Sequence, residues 1–353
     1  MQTHLIIALF FALTVFLAFM EDRIRSQHKV YILTGYALFM ILLVTTKDVE
    51  HTADAAVYEN MFIHYNDPFV SLVTEPSFIY LSKIVLSLGG GIGVMFFLYA
   101  VLSIPAKLAI YNRMTPYIFT ALVVYIPVYF ELHDMIQMRV SAAAMFLLAS
   151  FIPLSEKKYW TAALLMVGSI LFHYSAAVFL PFLFIGNRKL NTAGRVFIAT
   201  MLPVCLAMYL LKLDWLSFVP TILPAIQYKV EAYKESADKG ELDEIYPLFF
   251  QLYYLAKCSM LLLCLYYYEL LSSKERLAPL LINLFAVSTL FLPSMATIPV
   301  IAGRISELFG IVDCLVFTFL LHIVSPPWVA RIAITAVSLY MLVFNMLYTE
   351  YFT

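Results

Sequence analysis

Two arginines, a glutamate and a histidine stand where long apolar runs begin or end, Arg139, Arg304, Glu75 and His173, and a further carboxylate, Asp54, lies in the segment between two such runs. A guanidinium is always charged and presents a planar fork of donors that suits phosphate or diphosphate oxygens. A neutral imidazole can take a proton from a hydroxyl, and its charged form can contact a phosphate. A carboxylate can orient a hydroxyl or deprotonate it. Tyr58, His133, Asp134, Gln137, Tyr174 and Glu307 lie beside these groups in the chain and are candidate substrate contacts.

Each residue also has a structural reading. Arg304 and Glu307 are three residues apart, so a simple ion pair on one helix face accounts for them. The Glu75-Pro76 step fits an ordinary helix start, where proline and acids are both favoured. His173 alone could be a structural hydrogen-bonder, and Arg139 a solvated interfacial arginine. Arg139, however, is followed by Ser141-Ala-Ala-Ala144, small residues that let a neighbouring helix approach closely.

The elements that must position these groups are membrane helices. Hydrophobic residues make up 63% of 353 positions and charged residues 13%, with a mean hydropathy of +0.88. A soluble domain of this length could not bury that much apolar surface. The chain therefore reads as an all-α polytopic membrane protein, residues 1–353 forming a single transmembrane domain. Allowing about 20 residues per crossing gives about twelve helices, within a range of roughly ten to thirteen. The apolar runs are 1–19, 30–46, 76–106, 116–132, 137–153, 159–171, 174–186, 196–213, 246–268, 278–298, 304–322 and 329–348. The run 76–106 is interrupted at Gly89-Gly90-Gly91-Ile92-Gly93, either one kinked span or a shallow helix followed by a span. Met1 to Phe19 lacks a positive leader and a small-residue cleavage site, so it reads as a retained first span.

Lysine and arginine in the short connections set the orientation. Arg23, Arg25 and Lys29, then Lys107 and Arg113, Lys157 and Lys158, Arg188, Lys189 and Arg195, and Lys274 and Arg276 all fall on one side, taken as cytoplasmic. Both termini then lie outside. Two longer extracytoplasmic loops remain, 47–75 and 212–245. The first carries six acids against one lysine; such lengths suit a lid or a substrate-binding face. Of nine arginines, only Arg139 and Arg304 fall at the outer side, against the positive-inside bias.

Several function classes are excluded or disfavoured. A net charge of −1 argues against nucleic acid as a partner. Cys205, Cys258, Cys264 and Cys314 sit inside apolar runs and read as inert thiols. The seven histidines show no metal-ligand spacing, and no nucleotide-binding glycine motif appears, so neither a metal nor another cofactor is expected.

In order along residues 45 to 310, the chain resembles the EpsG-type members of the Wzy-like bacterial polysaccharide polymerases. The resemblance rests on Asp54 with Tyr58 four residues on, Glu75-Pro76-Ser-Phe78, Met138-Arg139-Val-Ser-Ala142, Phe172-His173-x-Ser175-Ala176, and the late Arg304. Two departures bear on loop contacts: Val140 stands where glutamine is common after the arginine, and no glycine precedes Asp54.

The resemblance implies an enzyme that joins oligosaccharide units carried on undecaprenyl diphosphate, O-antigen, capsule and exopolysaccharide polymerases being of this kind. It would act at the outer face of the bacterial inner membrane, with the lipid-linked oligosaccharide as both donor and acceptor. Neither nucleotide nor metal would be needed, and a chain-length regulator and a flippase would be its partners. On outer placement and chemical type, Arg139 and Arg304 would bind diphosphate, His173 would serve as base or phosphate contact, Glu75 or Asp54 would orient or deprotonate the acceptor, and Glu307 would hold Arg304. Two rivals use similar groups: a flippase for lipid-linked oligosaccharide, and a glycosyltransferase using a polyprenyl-phosphate sugar. Polar residues crowded on one face favour surface chemistry over alternating access, and two arginines favour diphosphate over monophosphate.

Overall fold

The computed structural model describes residues 2–52, 54–213, 252–295 and 299–348, and every regular element among them is helical. The chain begins with α1 (Gln2–Met20) and α2 (Ser26–Thr45), then two short helices, α3 (Ala55–Ile63) and α4 (Pro68–Val73). Next come α5 (Pro76–Ser87), α6 (Ile92–Met114) and α7 (Ile118–Tyr125), which continues as a π-helix over Ile126–Ile136. α8 (Met138–Ser155), α9 (Tyr159–Phe172), a 3-10 turn at Tyr174–Phe179 and α10 (Phe182–Ile185) follow. The remainder comprises α11 (Thr192–Leu210), α12 (Leu252–Tyr266), α13 (Tyr268–Lys274), α14 (Ala278–Ser294), α15 (Pro299–Phe309), α16 (Asp313–Thr318), α17 (Leu320–Ile323) and α18 (Pro327–Tyr348).

Among the described residues, eight helical stretches are long and apolar enough to cross a bilayer, or nine if α12 and α13, bent by 82°, form one broken span. The chain is an all-helical polytopic membrane protein, as its composition requires. Pro76–Ser87, Tyr159–Phe172, Tyr174–Ile185 and Ala278–Ser294 are apolar but shorter. The segment 47–75 is not an open loop, since α3 and α4 occupy much of it. Asp67 starts α4 by accepting from Phe69 N at 2.8 Å and Val70 N at 3.2 Å. Of the loop expected at 212–245, all but Lys212 and Leu213 lies outside the described residues.

The long apolar run from residue 76 resolves into two helices. Gly89 adopts φ +75°, and a Cβ on Gly90 would lie 2.8 Å from Val85 Cγ1, so glycine is required where α5 stops. α6 then continues past Lys107 to Met114, whereas the charge pattern places Lys107 in a loop. It lies inside the helix because a buried aspartate partners it: Lys107 Nζ is 2.5 Å from Asp134 Oδ1 and 2.9 Å from Ser141 Oγ.

Two compact units emerge, Met1–Gly186 with Phe317–Thr353, and Asn187–Val316. In the first, α8 packs on α6 and α9, α2 on α6, α1 on α7, and α18 on α7 and the π-helix. Pro127 lacks an N–H and cannot extend the α-helical ladder, which gives a local reason for the turns to widen there. The wide turns end at Gln137, whose N–H donates to Leu132 O at 2.8 Å, five residues back. Glu21 caps α7 from the α1–α2 connection, accepting from Phe119 N, Thr120 N and Thr120 Oγ1 at 2.8, 3.1 and 2.8 Å.

In the second unit, α14 packs on α11, α12 and α15. Ser288 and Ser306 bolt α14 to α15 by donating reciprocally to each other's carbonyls at 2.8 and 2.7 Å. Lys257 Nζ meets Asp313 Oδ2 at 2.9 Å and Ser288 Oγ at 2.6 Å, and Tyr253 donates to the same Asp313 oxygen at 2.9 Å. The first unit holds the same set of residue types, Lys107 with Asp134, Ser141 and Tyr125. In each, a lysine is kept inside an apolar bundle by one carboxylate, one serine and one tyrosine.

Candidate active site

Glu75 is the hub of the site. Pro76 occupies the first position of α5, and Glu75, with φ −66° and ψ 145°, stands just before it. Its side chain does not cap α5. Instead Oε2 accepts from Arg139 Nη1, and Oε1 lies 3.0 Å from His173 Nδ1 and accepts from Tyr174 N at 3.4 Å. Three elements thus converge on one carboxylate: the α4–α5 junction, the first turn of α8 and the break between α9 and the 3-10 turn.

Each partner is delivered by a local irregularity. Arg139 follows the π-helix directly, so the wide turns ending at Gln137 set its direction. His173 ends α9 in an extended conformation, φ −155° and ψ 117°, which turns its ring out of the helical register. α3 brings Tyr58 within electrostatic reach of Arg139. The guanidinium carbon lies 5.1 Å from the Tyr58 ring centroid and 5.7 Å from that of Phe78, an aromatic seat for a cation.

The electrostatics divide the roles. Glu75 is buried, which pushes its carboxyl up, but the His173 hydrogen bond and the Arg139 charge outweigh burial and hold it at about 2. It is therefore ionised throughout the physiological range and is a weak base. With a carboxylate on Nδ1, the imidazole presents Nε2 as the atom free to accept a proton. Arg139 retains a buried Nε without a hydrogen-bond partner among the described residues, and its side chain as a whole is 18% exposed.

The other residues singled out from the sequence separate into groups. Tyr174 is exposed, and its hydroxyl donates to Thr74 O at 3.4 Å beside the hub. Asp54 is exposed at the start of α3 with φ 62°, one turn before Tyr58 and within electrostatic reach of it. Asp134 is buried and engaged with Lys107, Ser141 and Tyr125. His133 is also buried, its ring 5.3 Å from that of Tyr129, and its Nε2 has no hydrogen-bond partner among the described residues. Gln137 is half-buried and links the π-helix to α8. Arg304 and Glu307 lie on α15 in the second unit, Arg304 exposed and Glu307 half-buried, with their charges in mutual reach.

Among the described residues, no group of three or more His, Cys, Asp and Glu side chains is placed to hold a metal ion. Sequence reading overlooks Lys47, whose Nζ donates to Met135 O and sits 3.9 Å from the Phe96 ring centroid. The available signal is that Lys47 is the one cation in the acidic segment 47–75. Asp54 lies within electrostatic reach of it.

No curated protein and no solved structure matches this chain. A family model described as the EpsG family matches residues 30–352, which takes in every residue of the Glu75 cluster. The chain belongs to the EpsG family.

Proposed function

We propose that the chain is a membrane glycan polymerase that transfers a growing oligosaccharide from undecaprenyl diphosphate to a hydroxyl of the next lipid-linked unit. The observation that carries this reading is the Arg139–Glu75–His173 cluster, a cation and a carboxylate-oriented imidazole around one carboxylate. Membership of a family of polysaccharide-polymerase type supports it. The acceptor oxygen attacks the anomeric carbon of the donor sugar, and its proton passes to His173 Nε2. The bond from that carbon to the diphosphate oxygen breaks, and the electron pair leaves with the diphosphate. Arg139 stabilises the charge that develops there. Glu75 holds the imidazole and the guanidinium in position, so the carboxylate acts through both. Tyr58, Tyr174 and Asp54 bound the place for the acceptor sugar.

The reading includes about twelve crossings of the bacterial inner membrane, with the Glu75 cluster facing outward. The eight long stretches, the broken α12–α13 span and the shorter Tyr159–Phe172, Tyr174–Ile185 and Ala278–Ser294 supply that number, leaving α5 as a shallow helix. A flippase and a chain-length regulator are the partners such a reaction calls for. The test is purified protein mixed with lipid-linked repeat unit, without nucleotide. A ladder of products that disappears in Arg139→Ala supports polymerisation. Single units that cross reconstituted vesicles unchanged would make the protein a transporter.

A further inference from the structure

Lys47 is a cation of the first unit that the reaction above leaves unused. It follows α2 and points inward, with Nζ over the Phe96 ring of α6 at 3.9 Å and donating to Met135 O. An ammonium has three donors. In this setting a ring face and one carbonyl meet it, neither of which carries a formal charge. The charged group that faces it among the described residues is Asp54 at the start of α3, the helix that also carries Tyr58 to Arg139. Met135 lies four positions before Arg139, across the junction from the π-helix to α8. The lysine is thus attached to the segment that aims the arginine.

We propose that Lys47 is a second phosphate-binding cation of this site, donating to the lipid diphosphate alongside Arg139. The assignment rests on the polymerase reading and deepens it by giving the diphosphate two points of attachment within one unit. A half-buried ammonium with spare donors is favoured by an anion that reaches it. Arg139 has part of its charge answered by Glu75, so a cation less fully compensated is what a doubly charged headgroup still needs. Burial lowers the Lys47 ammonium to about 7, against the pull of Asp54, so its charge is present below that pH and lost above it.

The experiment measures binding of undecaprenyl diphosphate and of undecaprenyl monophosphate to the full chain in nanodiscs between pH 6 and 8.5. Wild-type protein should bind the diphosphate progressively more weakly as pH rises through about 7. Lys47→Arg keeps a cation over Phe96 and should bind with that pH dependence removed. Lys47→Met should bind about tenfold more weakly at pH 6, also without pH dependence, and should lose less for the monophosphate. If Lys47→Met does not fold, the contrast between wild type and Lys47→Arg still decides. A wild-type profile that is flat, or that Lys47→Arg reproduces, overturns the proposal while leaving diphosphate binding through Arg139 intact. If wild-type protein binds neither lipid, the polymerase reading falls and this assignment with it.

Discussion

His173 Nδ1 lies 3.0 Å from Glu75 Oε1, a contact between residues 98 positions apart. A carboxylate held on one nitrogen of an imidazole fixes which nitrogen is left to act. The pairing therefore separates the positioning group from the base, although both carry lone pairs. His173→Ala should lower the rate of ladder formation by about 10² to 10⁴ while the protein remains folded. Glu75→Gln should also lower it, and the double variant should be less impaired than the product of the two single effects, because part of the carboxylate's role runs through His173. Rates measured for the two single variants and the double variant check this. Effects that multiply would mean the two residues act independently.

Glu75 also ties stability to pH. Its carboxyl titrates at about 2 in the folded chain, below the ordinary 4.5, because His173 and Arg139 outweigh burial. A depressed carboxylate stabilises the fold above its unfolded pKa, and that contribution fades as pH falls through the folded value. The window is therefore pH 4.5 down to about 2. The contribution is on the order of 3 kcal/mol. Thermal unfolding in detergent should show wild type losing its advantage over Glu75→Gln across that window. A gap that stays constant would contradict the linkage.

Lys107 and Asp134 form the buried pair that lets α6 run on through a charge. Removing one partner strands the other inside the bundle, which costs about 3–5 kcal/mol. Asp134→Asn should lower the unfolding temperature of purified protein sharply. Lys107→Met combined with Asp134→Leu should recover much of it, because no unpaired charge remains. Equal unfolding temperatures for Asp134→Asn and wild type would show that the pair carries little stability.

The sequence makes the class of the protein legible because hydropathy is a bulk property: 63% hydrophobic residues admit little but a helical membrane protein. Glu75, Arg139 and His173 are each recognisable as polar residues at the ends of apolar runs. Their convergence is not legible, since it depends on a π-helix at Ile126–Ile136 and an extended His173 that no periodicity announces. Lys107 and Asp134 mislead for the opposite reason. Read one residue at a time, a charge suggests a helix boundary or a substrate contact, whereas the two cancel inside the bundle. Lys47 escapes notice because a lysine at the end of a span resembles an ordinary interfacial anchor until Phe96 and Met135 are seen beneath it.

Arg139 distinguishes a requirement for charge from a requirement for shape. Its Nη1 serves Glu75 while its guanidinium carbon lies 5.1 Å from the Tyr58 ring centroid, and its buried Nε is unpartnered among the described residues. A guanidinium can hold the carboxylate with one edge and offer another to a phosphate; a lysine ammonium is a single point that must choose. Arg139→Lys should therefore retain most of the stability that pairing with Glu75 supplies. It should nonetheless lose polymer formation about as severely as Arg139→Ala, by about a hundredfold, equivalent to about 3 kcal/mol of transition-state stabilisation. Unfolding temperatures and ladder rates measured on the same preparations separate the two properties. Full activity in Arg139→Lys would mean that net charge alone suffices at this position and that the fork geometry is incidental.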